Sequence, residues 1–520
     1  MKKHETVELP LDTVLELEYA DITPKFDCSG FKDTSELKPR SFASLQLRAL
    51  NAARALHDHE SFRVLLLECG ASCDTPALCE ELLKLAGFAS VTLALCPSAK
   101  ELFGAEGKPG LVSEPGALVL SCALFEDHPK WVLKLRAALR ENPGLKLMLA
   151  GGPGDLAAMD ALWPELDSAL RADTVAEFSA EGAGALLGAL IAHWAQRQGG
   201  RHVSAEAVSA LCALCSRTAG DRRWIGLQPE RLKNLLTEAA SFEKGAVISK
   251  RALLRALGAE DFRLNFVAKS ELRDHRDEQL LIQTEGQETG QINGLSVIET
   301  SGTSYVYGEP VRITAAMRAG GDGDVIDIER KAELAGQIHA KAMMIINGYL
   351  NREFGALTPL PASASLVFEQ SYSEIDGDSA SLTGLCAVLS SFADLPVRQD
   401  LAVTGAVDQL GNVQPVGGVN EKIEGFYRIC RLRGLTGTQG VIIPMSCVNQ
   451  VLLRPAVADA VKKGRFHLYT VAHVTGAMKI LTGVPWGDEN DENSVYARII
   501  SRLEQVSSQR AGDHPWWHFW

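Results

Sequence analysis

The chain has no run of about 18 consecutive apolar residues, the length that a membrane-spanning helix needs, so no spanning segment is expected. Its start, MKKHETVELPLDTVLELEYAD, lacks the apolar stretch and small-residue cleavage site of a secretory signal. Positive charge is in short supply: 52 Lys and Arg against 65 Asp and Glu leave a net charge of −13. Affinity for nucleic acid rests on cations that neutralise phosphates, so nucleic acid is not an expected partner. The eleven cysteines are odd in number and sit in apolar contexts such as LLLECGASC and ALCALC, which fits reduced thiols in a cytoplasm rather than a disulfide framework. Cys212 and Cys215 have CxxC spacing, but no second CxxC or HxxxH lies nearby to complete a tetrahedral metal site, and the pair reads as core packing. No internal repeat and no long low-complexity tract interrupts the sequence.

What is present is an ordinary globular composition, 46% hydrophobic and 22% charged, on 520 residues, too many for one core. Residues 1–60 form an N-terminal segment with an amphipathic pattern in SFASLQLRALNAARAL. In 61–199, short β-like runs (RVLLLEC, VTLALC, ALVLSCALF, LKLMLAGG) alternate with helical patterns, which predicts an α/β domain with a parallel sheet. Residues 200–260 are helical in pattern, with Ser204 as a cap, and read as a lid-like subdomain. A charged connector, 261–285, leads to a second mixed α/β domain over 286–485, which begins in QINGLSVIET and includes a long helix over 329–350. The tail, 486–520, holds an amphipathic helix (VYARIISRLEQVSSQ) and ends in HPWWHFW, a cluster expected to pack on its own chain or on a sister subunit.

A strand, helix and lid order invites a search for a phosphate loop. The relevant turn, LLLECGASCDTPALCEELL over 65–83, keeps one glycine, Gly70, and has no lysine before Lys84. A Walker loop needs glycines whose N–H groups cradle phosphates, a lysine for the outer phosphates and a hydroxyl for magnesium. The next strand ends in Ser121 and Cys122 where a metal-holding acid belongs, and in GAEGKPG proline follows the lysine. ATP chemistry is therefore not expected from this domain, and no metal site is expected.

The second domain carries the chemistry. Ser379 lies in EIDGDSASLTGL, at the mouth of an apolar run. On local sequence it reads as a helix cap; as a nucleophile it would need a base to take its proton. The neighbouring histidines, His339, His467 and His473, sit in no recognisable motif. A lysine serves if burial lowers its proton affinity, and VTGAVDQLGNVQPVGGVNEKIEGF supplies Lys422 behind the tight turn of Gly417 and Gly418. The preceding SLVFEQSY reads as an edge strand onto which an extended substrate could pair. Asp376 and Asp378 would favour a charged Lys422 if they lay beside it, and so are expected either to face away or to hold a resting state.

Taken together, EIDGDSAS, PVRQDLAVTGAVDQLGNVQPVGGVNEKIEGF and GVIIP resemble the proteolytic domain of the Lon proteases, particularly the archaeal-type branch, over about residues 286–485. The resemblance implies a Lon-type α+β proteolytic domain preceded by a degenerate AAA+-like α/β domain with a helical lid. It implies a Ser-Lys dyad of Ser379 and Lys422, with Thr404 positioning the lysine, that hydrolyses protein or peptide substrates in the cytoplasm. It also implies a homo-oligomer, commonly a hexamer. Peptide hydrolysis by such a dyad needs no cofactor. ATP and magnesium belong to the family, but their motifs are absent here, so a stand-alone endopeptidase is expected. The alternatives are a ring-forming scaffold without proteolysis, or an ATP-dependent protease with an unorthodox nucleotide site.

Overall fold

The computed structural model describes residues 10–512 apart from 71–72, 106, 301, 303–304, 356–359 and 373, so the HPWWHFW cluster lies outside the described residues. The chain divides into two units, one of residues 25–260 and one formed by residues 1–24 together with 261–520.

In the first unit, the four β-like runs and a fifth segment that the sequence did not mark, Leu170–Asp173, become parallel strands in the order Val91–Leu93, Gly116–Ser121, Leu145–Gly151, Val64–Glu68, Leu170–Asp173. Side chains of a strand alternate between faces, and here each face has its own core. Leu65 and Leu67 join the helices Leu47–Asp58, Thr75–Ala86 and Ala183–Gln198 on one side, while Val64 and Leu66 face Trp131–Glu141 and Pro153–Leu162 on the other. Burial on both faces explains why the three central strands read as continuous apolar runs. The helical pattern over 42–58 breaks at Gln46, whose buried amide donates to the carbonyl of Val175 (2.9 Å) and accepts its N–H (2.6 Å). Helices Ala205–Ala219, Pro229–Ser241 and Lys250–Leu264 follow, with Ser204 capping the first of them; Cys212 and Cys215 are buried in this core.

The second unit is built on a seven-stranded sheet. Its order is Val14–Glu16, His467–Val471, Gly440–Pro444, Leu401–Val403, Gln291–Thr300, Tyr305–Asp327, Ala362–Phe368. The first sixty residues thus divide between the units, since Val14–Glu16 supplies an edge strand here. Within 261–285 the charged stretch contains the helix Phe266–Arg276. Alternation again separates two cores: Leu401, Val403 and Ile442 pack with the helix Ser381–Ala393, and Ala402, Val441 and Ile443 with the helix Val419–Arg433. The serine helix and the lysine helix therefore lie on opposite faces of one sheet. Ile499 and Leu503 of the C-terminal helix Val495–Gly512 are buried over the serine helix.

Two expectations need correction. The stretch 329–350 is not one helix: Ile328–Lys331 ends, Glu333 takes φ +59°, Ala335 bridges to Ile375, and a new helix runs Gln337–Glu353 from its cap at Gly336. The strand containing SLVF is not an open edge either. Ala364 pairs with Met317 on one side and with Val325 on the other, Ser365 and Leu366 continue the second row with Ile326 and Asp327, and the N–H of Phe368 donates to Glu329. Residues 325–329 thus cover the hydrogen-bonding groups that an added strand would need.

The lysine helix lies unusually close to the sheet. A Cβ on Gly308 would collide with the carbonyl of Glu421, and one on Gly425 with the carbonyl of Gly308, so the crossing requires two glycines. Arg428 fixes it by donating to the carbonyl of Gly308 (2.8 Å). Overpacking such a contact costs about 1–3 kcal/mol. Gly308→Val is expected to lower the urea midpoint accordingly, whereas Gly258→Ala, where a Cβ meets nothing within 4 Å, is expected to leave it unchanged or raise it. Equal behaviour of the two variants in equilibrium unfolding would mean that the close crossing does not limit stability.

Candidate active site

The two helices converge where the strand Leu401–Val403 ends. Thr404 is the next residue; its N–H donates to the carbonyl of Ile442 (3.0 Å) and its side chain is fully buried. On one face, the loop from Ala362–Phe368 reaches the serine helix through Gly377, whose φ of +107° suits a residue without a Cβ. The helix starts at Ser381, and its N-cap position falls on Ala380, which offers no side-chain acceptor. Ser379 is a half-buried turn residue one step earlier, so the reading of it as a cap is not realised and its hydroxyl is not spent on a helix end. The turn is held by the backbone: Ser381 N–H donates to the carbonyl of Asp378 (2.9 Å), and Gly405 N–H to the carbonyl of Ser379 (2.9 Å).

On the other face, the chain passes Gly417 and turns at Gly418, with φ +64°, into the lysine helix, whose second turn carries Lys422. Only 2% of Lys422 is exposed. Its Nζ donates to Thr404 Oγ1 (3.1 Å), and the same hydroxyl donates to the backbone carbonyl of Ser379 (3.2 Å). Burial lowers the lysine from its ordinary 10.5 to about 8, while Cys447 and Asp378 act weakly in the opposite direction. At pH 7 about one molecule in ten then carries a neutral amine, against well under one in a thousand for a solvated lysine.

Of the three residues singled out from sequence, Thr404 and Lys422 are joined directly and Ser379 is joined to Thr404 through its carbonyl. Among the described residues the Ser379 hydroxyl makes no hydrogen bond to Lys422. Asp376 faces away from the lysine: its carboxylate accepts the N–H groups of Ile338 (3.1 Å) and His339 (3.3 Å) at the start of the helix Gln337–Glu353. Its own neighbour Gly377 and those two N–H groups hold its carboxyl below the usual range. Asp378 is exposed.

The histidines are engaged elsewhere. His339 is buried 3.2 Å from Asp327, His467 faces Glu16, and His473 caps the helix Val474–Thr482. Among the described residues no group of three or more His, Cys, Asp or Glu is placed to hold a metal. Gly308, Gly425 and Asp376 fix the positions of the two helices without any mark in their local sequence; only the pairing across the fold reveals them.

Residues 371–481, which contain all three positions, match the Lon protease (S16) C-terminal proteolytic domain family. A putative Lon protease homolog of Escherichia coli is 45% identical over 314 residues, 60% of this chain and 53% of that protein. One from Haemophilus influenzae is 44% identical over 316 residues, 60% and 52% of the two chains. The archaeal Lon protease of Archaeoglobus fulgidus is 28% identical over 281 residues, 54% of this chain and 42% of its own. The chain thus spans about half the length of the curated relatives it matches. Residues 371–481 thus carry a Lon-type (S16) proteolytic domain, built around the buried lysine.

Proposed function

We propose that the chain is a serine endopeptidase in which Ser379 is the nucleophile, Lys422 its general base and Thr404 the residue that aims the lysine. The observation that carries this reading is the burial of Lys422 on a hydrogen bond to Thr404, next to the backbone of Ser379. Thr404 has one hydroxyl proton, and it is directed at the carbonyl of Ser379; toward Lys422 it therefore accepts. A neutral amine that donates one N–H to Thr404 keeps its lone pair for another partner. The Ser379 hydroxyl takes that place when substrate orders the turn, as catalytic hydrogen bonds often tighten on binding.

The chemistry then follows. Lys422 accepts the hydroxyl proton as Oγ attacks the peptide carbonyl, and backbone N–H groups of the turn receive the oxyanion. Collapse breaks the C–N bond, and the ammonium of Lys422 returns the proton to the leaving amine. Water attacks the resulting ester with Lys422 again as base, which releases the acid and restores the serine. No step needs a metal or nucleotide. Protein or peptide segments are the substrates, a homo-oligomer is the working form and the cytoplasm its place.

We read residues 61–199 and 200–260 as a degenerate AAA+-like domain and lid without ATP hydrolysis. Support comes from the helix Thr75–Ala86 after the strand Val64–Glu68, whose N-terminus is where a phosphate would sit. The Asp74 carboxylate already accepts the N–H of Ala77 there (3.2 Å), so an internal anion occupies the positive end of the helix dipole.

Cleavage of fluorescent casein is expected from the wild type and not from Ser379→Ala, with the same oligomeric state in both and no effect of ATP and magnesium. A stimulated wild type would mean that a nucleotide site exists; an inert wild type in an assembled preparation would favour a scaffold. The acid limb of kcat/KM is expected near pH 8, the value to which burial brings Lys422. Asp378→Asn removes a charge that favours the ammonium, so that limb should move to lower pH; an unmoved limb would separate it from Lys422.

Stability gives an independent check. Lys422 binds its proton more weakly folded, near 8, than unfolded, near 10.5, so the wild type is penalised below pH 8 and recovers as the pH rises to 10.5. Lys422→Met removes the penalty and one hydrogen bond, a net gain on the order of 2 kcal/mol at pH 7 that fades toward pH 10.5. A variant no more stable than wild type at pH 7 would show that the lysine is not desolvated.

A further inference from the structure

A buried lysine side chain makes few contacts that could direct it, so its aim depends on where its helix sits. The lysine helix is stitched along one face to residues 447–456. Before the helix, Cys447 Sγ accepts the N–H of Val416 (3.4 Å) and its thiol donates to the carbonyl of the same residue (3.7 Å). In the first turn, Asn420 Nδ2 donates to the carbonyl of Gln450 (2.8 Å), and Asn420 Oδ1 accepts the N–H of Leu452 (2.6 Å). One turn on, the Glu424 carboxylate accepts the N–H of Arg454 (2.8 Å) and faces its guanidinium at 3.2 Å. Tyr427 donates its hydroxyl proton to the carbonyl of Ala456 (3.1 Å). The helical positions 420, 424 and 427 share one face, and Lys422 projects from another.

Asn420 and Glu424 each stand two positions from Lys422, and Asn420 is the one in the first turn. It is 6% exposed and joins an acceptor at the end of the 3-10 helix Met445–Gln450 to a donor, Leu452, on the segment 451–454, which lies outside helix and strand. One of these groups accepts and the other donates, and an amide is the side chain that serves both at once. An aspartate would keep the bond from Leu452, give up the one to Gln450 and add a negative charge two positions from Lys422. An alanine would leave both backbone groups without it.

We propose that Asn420 is a positioning residue for Lys422: its amide fixes the first turn of the lysine helix on residues 450–452 and so holds the amine in its desolvated seat on Thr404. The proposal rests on the reading of Lys422 as the base. Loosening the turn admits water to the amine, so the lysine should return toward its ordinary proton affinity, and its aim should suffer more than substrate binding does.

The test compares wild type and Asn420→Ala in casein cleavage from pH 6 to pH 10, and in deuterium exchange of the backbone amides of residues 419–423. For Asn420→Ala the expected result is a kcat at least tenfold lower, a KM within about twofold, an acid limb displaced upward by about one pH unit, and faster exchange over 419–423. An active wild type whose kcat and acid limb are matched by Asn420→Ala overturns the proposal while leaving the dyad intact. An inactive wild type instead sinks the dyad reading; exchange then decides alone, an increase over 419–423 supporting the anchor and unchanged exchange overturning it. If Asn420→Ala does not fold, Asn420→Ser, which adds no charge and is too short to span both groups, takes its place, with the same displacement of the limb expected and an unmoved limb overturning the proposal.

Discussion

The site depends on keeping one amine out of water. A lysine at the surface holds its proton far above neutrality, and no neighbouring hydroxyl makes it a base. Taking the amine into an apolar interior penalises the charged form, and that penalty lowers Lys422 to about 8. The rest of the unit provides the depth this requires. The lysine helix lies close enough to the sheet that a Cβ on Gly308 would meet the backbone of Glu421 and Lys422, and one on Gly425 the backbone of Gly308.

Thr404 joins the two halves because the sheet has two faces. Alternation along Leu401–Val403 sends Leu401 and Val403 toward the serine helix and Ala402 toward the lysine helix. A residue within the strand would reach one helix or the other. Thr404, just past the end of the strand, bonds the carbonyl of Ser379 and receives Lys422. Its single proton also sets the sense of the network: what is donated to Ser379 is not available to the lysine, so the lysine must donate in turn.

How much of this was legible in the sequence follows from range. The central parallel strands of residues 61–199 were readable because burial on both faces leaves continuous apolar runs, and the family of the proteolytic domain was readable because Ser379, Thr404 and Lys422 sit in distinctive local strings. The break at residues 332–336 was not: the pattern AELAGQIHAK is helical, and what stops it is Ile375, a residue distant in the chain, bridging to Ala335. The covered edge of Ala362–Phe368 was hidden for the same reason, since Val325, Ile326 and Asp327 reach it only after the chain reverses. Asp376 looked like a threat to the lysine because, with Asp378, it flanks Ser379 in sequence. In the fold it serves the helix Gln337–Glu353 instead, where a carboxylate on free N–H groups is favourable.

The same electrostatic rule separates the two carboxylates of the Ser379 loop. Asp376 is tied to three N–H groups, its charge is balanced where it stands, and it supports the loop without acting on Lys422. Asp378 is exposed and bears on Lys422, so its influence is softened by water yet directed at the buried amine. Between them Gly377 turns the chain through a conformation that L side chains avoid, and this turn lets two acids so close in sequence face different partners. A lysine poised near 8 is then the balance of deep burial against Cys447 and one screened carboxylate, all placed by backbone geometry.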